Sequence, residues 1–391
     1  MKLNKKGFGV AEIAIVILLI GILAAAVIVG FMGIKKNATE HVKEEATKSL
    51  EIIHQTKHAY PTILSSDLKN GLKIKEGEYE VYELGGYKIS AGSSVDGAIY
   101  VEENATLFLS GTGTLDDTCK VAGSTRVKES AIVNEGNLTL SDLIVTGGTY
   151  TNKNSRYQIS GYGKSETTLN NVKVVGANGT ISVMDNAKVT INGTNTHITL
   201  PSGAAMSGGS LFYIALAGEV IVNDGWLELK DQHNQYFGLD LGGRVTINGG
   251  TIKADATCSS IFNIKERTYY GVFYDAIVKI NGGIFDCAVR DALIVFNYNG
   301  SDENFEFKGN VTITGGEFIK EPPRFVWNQY SKANGVVVIK DAPNDGTDQL
   351  IFHFAPNAGS DGGWGQYVAE GYEWYKFDGQ ELWGVRPVGT P

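Results

Sequence analysis

Ile247, Ile280 and Ile313 stand 33 residues apart, and each closes a V-x-I strand just ahead of a Gly-rich turn. A fixed long period of strand, turn and strand restricts the fold more than any other feature of this chain. One such unit cannot bury its own apolar side, so copies have to stack on one another as a solenoid. Fainter copies run back through Val220, Lys188, Thr167, Asn137 and Ala105. Within them apolar residues alternate with Thr, Lys and Asn, the period-2 pattern of a strand with one side buried. The 49 glycines against 8 prolines in 391 residues suit a turn-rich β chain. The expected fold is mainly β: a right-handed parallel β-helix over residues 61–340, reached through a short linker from Thr62 to Lys75. A β-sandwich of hairpins is the other reading, since NGG is also a hairpin turn. The persistent long period weighs against it.

The unit has an upstream half as well. Asn134, Asn263, Asn297 and Asn328 each follow a short apolar strand, in IVN, IFN, VFN and VWN. Stacked amides can hydrogen-bond from coil to coil, so these four are expected to form an internal ladder. Connections lengthen in the later copies and carry Tyr269, Tyr270, Phe273, Tyr274, Tyr298, Trp327 and Tyr330. Flat apolar faces with polar edges suit sugar rings or protein partners, and equally suit covering the solenoid's own edge. Asp185 and Asp240 recur before the glycine-rich part of a copy. As carboxylates they are candidates for Ca²⁺, a hard cation, or plain turn formers. No other cofactor or metal is implied. Cys119, Cys258 and Cys287 are too few for a disulfide framework or a CxxC metal site. They leave room for one Cys258–Cys287 bridge, or for burial as small apolar residues.

The N-terminus obeys a different grammar. Residues 13–33 carry no charge, and about 20 apolar residues are what a helix needs to cross a bilayer core. Just ahead lies one acid, Glu12, preceded by a basic leader with Lys2, Lys5 and Lys6. A lone carboxylate in such a run is costly unless something neutralises it. Gly7-Phe8, Glu12 as the fifth residue counted from Phe8, and the run Ile20-Gly21-Ile22-Leu23-Ala24-Ala25 closely resemble the class III signal of type IV pilins and pseudopilins. That resemblance implies cleavage after Gly7 by a prepilin peptidase and methylation of the new N-terminus at Phe8. It also implies a pairing of the Phe8 amine of one subunit with Glu12 of its neighbour in a filament. It covers the first fifty or so residues and departs at Gly9-Val10-Ala11, where Thr-Leu-Ile is common. Cleavage of a secretory signal after Ala24-Ala25-Ala26, and an uncleaved single-span anchor, are the other readings. Ala38, Val42, Ala46, Leu50 and Ile53 continue a helical spacing to about residue 60, where Pro61 ends it. From Phe8 to Ala59 such a helix would span roughly 78 Å. His54 and His58 have the i, i+4 spacing but lack a third ligand, so a solvated helix face is expected there.

The segments NGGT at Asn248–Thr251 and TGGEF at Thr314–Phe318 resemble the repeats of bacterial β-helical surface proteins of pectin-lyase-like architecture. The ending YVAEGYEWYKFDGQELWGVRP, from Tyr367, resembles the short closing segment of repeat-bearing surface proteins. It makes residues 341–391 a C-terminal cap in which Trp374, Tyr375, Phe377 and Trp383 pack. Related β-helices include lyases and glycosidases, but the NTD, DD, GHG and WIDH signatures are missing and no residue is assigned a catalytic role. A net charge of −9, falling to −12 with the leader's three lysines removed, argues against nucleic acid as a partner. The chain therefore reads as a leader (1–7), a transmembrane pilin-type helix (8–60), a solenoid (61–340) and a cap (341–391). The resemblances imply a subunit that is inserted in the membrane and then carried in a filament at the cell surface. Its partners would be prepilin peptidase, other pilin subunits, and an extracellular glycan or surface protein. An anchored polysaccharide lyase or glycoside hydrolase, and a secretion-system pseudopilin handling cargo, are the alternatives.

Overall fold

The computed structural model of the protein describes residues 61–90, 97–117, 130–147, 157–176, 179–200, 210–229, 235–266, 275–298, 309–328, 335–340, 350–356 and 364–389. They form a parallel β-solenoid of three sheets. Each coil visits the sheets in turn, as in Ile132–Asn134 (sheet 1), Asn137–Ser141 (sheet 2) and Ile144–Gly147 (sheet 3). The next coil repeats the order with Ile159–Gly161, Glu166–Asn170 and Lys173–Val175. Among the described residues sheet 1 has ten strands, sheet 2 eleven and sheet 3 twelve. Strands stack in parallel on the coil before, so the hairpin sandwich is ruled out.

The period seen in the sequence is the register of sheet 2. Ile247 pairs with Ile280, Ile280 with Ile313 and Ile313 with Ile339, all pointing inward and fully buried. The outward neighbours form their own columns, and Glu166, Lys188, Glu219 and Arg244 alternate in sign along one of them. Opposite charges on adjacent strands favour this register over a one-residue slip. Inside, rings stack coil upon coil. In sheet 1 Phe212 lies 4.9 Å from Phe237, which lies 5.3 Å from Phe262. In sheet 3 Phe285, Phe318 and Phe352 repeat this at 4.7 and 4.9 Å.

An amide ladder exists, but not among the four asparagines expected to build it. Asn134 is in register with Gly161, Asn263 with Val295, Asn297 with Lys265 and Asn328 with Phe296, so the four fall in three columns with other residues between them. The reason is strand length. Ser260–Glu266 and Ala292–Tyr298 are seven residues long and run past the point where Ile132–Asn134 stops, so similar triplets land at different registers. Asn134 still ties two coils together, donating to the Glu166 carbonyl (2.9 Å) and Thr167 Oγ1 (2.8 Å) while accepting from the Gly136 amide.

The ladder itself runs through the first residue of each NGG-type turn, between sheets 2 and 3. Asn192 donates to Asn170, Asn223 to Asn192, Asn248 to Asn223 and Asn281 to Asn248, at 2.8–3.1 Å, and Thr314 closes the row on Asn281. The last glycine of these turns forms a parallel row. Gly225, Gly250, Gly283 and Gly316 all have φ between +83° and +111°, and a Cβ on Gly250 would come within 2.7 Å of the Gly225 carbonyl. The motif therefore repeats because amide stacking and a left-handed backbone are needed at every coil.

Two boundaries differ from the expected ones. The segment read as a linker holds strands, Thr62–Ile63 in sheet 2 and Leu72–Ile74 in sheet 1. Their short alternation was hidden by charged residues in the turns around them. At the other end Leu350–Phe352 still adds a parallel strand to sheet 3, after which the antiparallel pair Tyr372–Lys376 and Trp383–Pro387 closes that sheet. Trp374 meets Phe352 edge-on at 5.1 Å, Tyr367 leans on Phe325 and Trp383 packs against the core, so these three cover the last coil, while Tyr375 and Phe377 pack on each other at 4.7 Å. Among the described residues no helix is long and apolar enough to cross a membrane. The leader and the helix expected over 8–60 lie outside the described residues.

Candidate functional site

The outer face of sheet 1 carries Tyr100, Tyr213 and Trp327, each beside a charged residue. Strand alternation puts Ile99 and Val101 inward and Tyr100 outward, and likewise Phe212 and Ile214 around Tyr213. The outward column reads Lys73, Tyr100, Val133, Ser160, Ser182, Tyr213, Gly238, Asn263, Val295 and Trp327, of which Val133, Ser160, Ser182 and Val295 are buried.

At its start the Tyr100 hydroxyl donates to the Glu135 carboxylate at 2.6 Å, and the Lys73 ammonium sits 4.8 Å above the Tyr100 ring. Lys73 also pairs with Glu102 at 2.7 Å. That bond, with the Glu76 amide on the other oxygen, holds the Glu102 carboxyl below its ordinary range.

Four coils further on, Tyr213 reaches the buried Asp240 carboxylate at 3.4 Å. Tyr157 stacks on Tyr213 with centroids 6.0 Å apart, and burial pushes its hydroxyl up to about 12. Lys265 and then Asn297 follow Asp240 in register. The Asn263 Oδ1 is buried and accepts no hydrogen bond from the described residues. Arg324 lies 5.4 Å over the Trp327 ring.

Of the residues singled out in the sequence, Asn263, Asn297, Trp327 and Asp240 come to this face. Tyr298 ends the strand Ala292–Tyr298 in register with Glu266, while Tyr269, Tyr270, Tyr274 and Tyr330 lie outside the described residues, as do Gly7, Phe8 and Glu12. Asp185 and Asp240 are not brought together. Asp185 is exposed, two coils before Asp240, and its φ of +58° makes it a turn former. Among the described residues no group of three or more His, Cys, Asp or Glu could hold a metal.

Tyr100, Tyr157 and Tyr213 were not singled out from the sequence. The legible signal was a tyrosine flanked by two inward apolar residues, with an acid one coil later. The row brings rings, carboxylates, amides and ammonium groups into line, with the Asp240 carboxylate buried. His197 and His353 both belong to sheet 3, so no histidine base described here serves sheet 1. No family model, no curated protein and no solved structure matches this chain.

Proposed function

We propose that the chain is a type IV pilin-like subunit, a minor pilin or pseudopilin, that carries its β-solenoid in a filament and offers sheet 1 to a glycan or protein at the cell surface. The observation that carries this reading is the order Gly7, Phe8, Glu12 and then an uncharged run to residue 33. In that order the Phe8 amine freed by prepilin peptidase and the Glu12 carboxylate of a neighbouring subunit neutralise each other in a dry filament core. Paired burial removes the cost that an isolated carboxylate would carry. The sheet 1 row, with Tyr100 on Glu135 and Tyr213 on Asp240, supports the binding half of the proposal. Right-handed coils are part of the same reading, since parallel crossovers almost always take that hand.

Changing Glu12→Ala in the cells that make the protein tests the filament half. The variant is expected to be processed and to keep its solenoid, yet to be lost from sheared filaments. Normal incorporation would make Glu12 dispensable and return the chain to a simple anchor.

A further inference from the structure

We propose that Trp226, on the outer face of sheet 3, is the platform of a separate sugar site that takes an all-equatorial hexopyranose unit of a glycan. The inference uses neither the filament reading nor the sheet 1 row. Trp226 is 38% exposed, and so are Ile144 (39%) and Ile284 (41%) in the same column. Scattered exposed apolar residues are ordinary on any protein surface. What separates Trp226 from the two isoleucines is the ring of polar groups around it. Lys253 places its ammonium 5.6 Å from the ring centroid. Glu228, two residues along the strand, pairs at 3.5 Å with His197, the residue in register one coil before Trp226. Thr251 follows Trp226 in register, and Thr199 lies beside Glu228.

The platform is also rigid. Its amide donates to the Thr196 carbonyl at 2.7 Å, and Gly225 just before it holds φ at +111° over that same carbonyl. Asn223 anchors the turn to the amide ladder on both sides. Ordering costs on binding are correspondingly small.

Both faces of an all-equatorial pyranose carry only axial C–H groups, which suit an indole face, while its hydroxyls point sideways. Here they would meet an acceptor in Glu228, a donor in Lys253 and two threonine hydroxyls, while the buried His197 Nε2 faces the Glu228 carboxylate. An aromatic body ringed by a few fixed polar groups is the usual composition of such sites.

The test is calorimetric titration of the full chain, in a zwitterionic detergent, with cellohexaose and with N-acetylated chitohexaose. At least one is expected to bind. Trp226→Ala should weaken that binding by about tenfold or more, Trp226→Phe less, and Glu228→Gln by several fold, with unchanged circular dichroism in each. Ile144→Ser, three coils away in the same column, should leave it unchanged. Binding of neither hexasaccharide, wild-type affinity in Trp226→Ala, or equal loss in Ile144→Ser would overturn the proposal. None of these results touches Glu12 or the filament.

Discussion

Cys258 and Cys287 are free thiols buried inside the solenoid, each donating to a carbonyl, of Ser260 (3.4 Å) and Ile252 (3.2 Å) respectively. Of the two readings the sequence left open, burial as small apolar residues is the one the fold uses. Burial pushes the Cys258 thiol from 9.0 up to about 12, and pushes Cys287 and the neighbouring Tyr236 hydroxyl well above their ordinary values. An unfolded chain would release the Cys258 proton near pH 9, while the folded chain holds it to about 12. Between those values the folded state binds more protons, so stability falls as pH rises through the window. At ~1.4 kcal/mol per unit, Cys258 alone accounts for on the order of 4 kcal/mol once fully titrated. Thermal unfolding is therefore expected to move to lower temperature between pH 8 and pH 11, and less steeply in a Cys258→Ala, Cys287→Ala double variant. An equal slope in both proteins would remove these thiols from the account.

At the scale of turns and strands, the Asn row is what fixes one coil on the next at the corner between sheets 2 and 3. Asn248 serves both neighbours, donating to Asn223 and accepting from Asn281, each at 2.8 Å. Asn248→Ala should cost about 1–2 kcal/mol, read as a lower thermal midpoint and as faster amide exchange in the coils around residues 223 and 281. Asn248→Asp should do at least as much harm, because its carboxylate cannot donate to Asn223. Much of this level was legible beforehand. The 33-residue spacing of Ile247, Ile280 and Ile313 is the vertical register, and alternation separated inward from outward residues. The ladder's residues were not identified, although NGG was visible as a turn. Which asparagines stack depends on strand lengths in neighbouring coils, and that is a tertiary quantity. The ring stacks were hidden for a similar reason: Phe212, Phe237 and Phe262 recur every 25 residues, whereas Phe285, Phe318 and Phe352 follow a longer spacing, set by coils of different length.

For the whole molecule, two different solvents are written into one chain. Residues 13–33 suit hydrocarbon, and the solenoid suits water, with its charged columns outside and a continuous apolar interior. The candidate site was only partly legible because its members lie on five or more coils and share no motif. Asn263, Trp327 and Asp240 stand out in the sequence for other reasons, and Tyr100 and Tyr213 sit in strands with no motif to mark them. In the pilin-like reading we propose, processing at Gly7-Phe8 is what joins the two halves into one device, since a freed Phe8 amine gives Glu12 of a neighbouring subunit its partner. Intact mass and N-terminal peptide analysis of the protein recovered from its native cells tests this most directly. The account predicts a chain that begins at Phe8, with a methyl group on its amine; a chain that still begins at Met1, or one cut after Ala24-Ala25-Ala26, would contradict it.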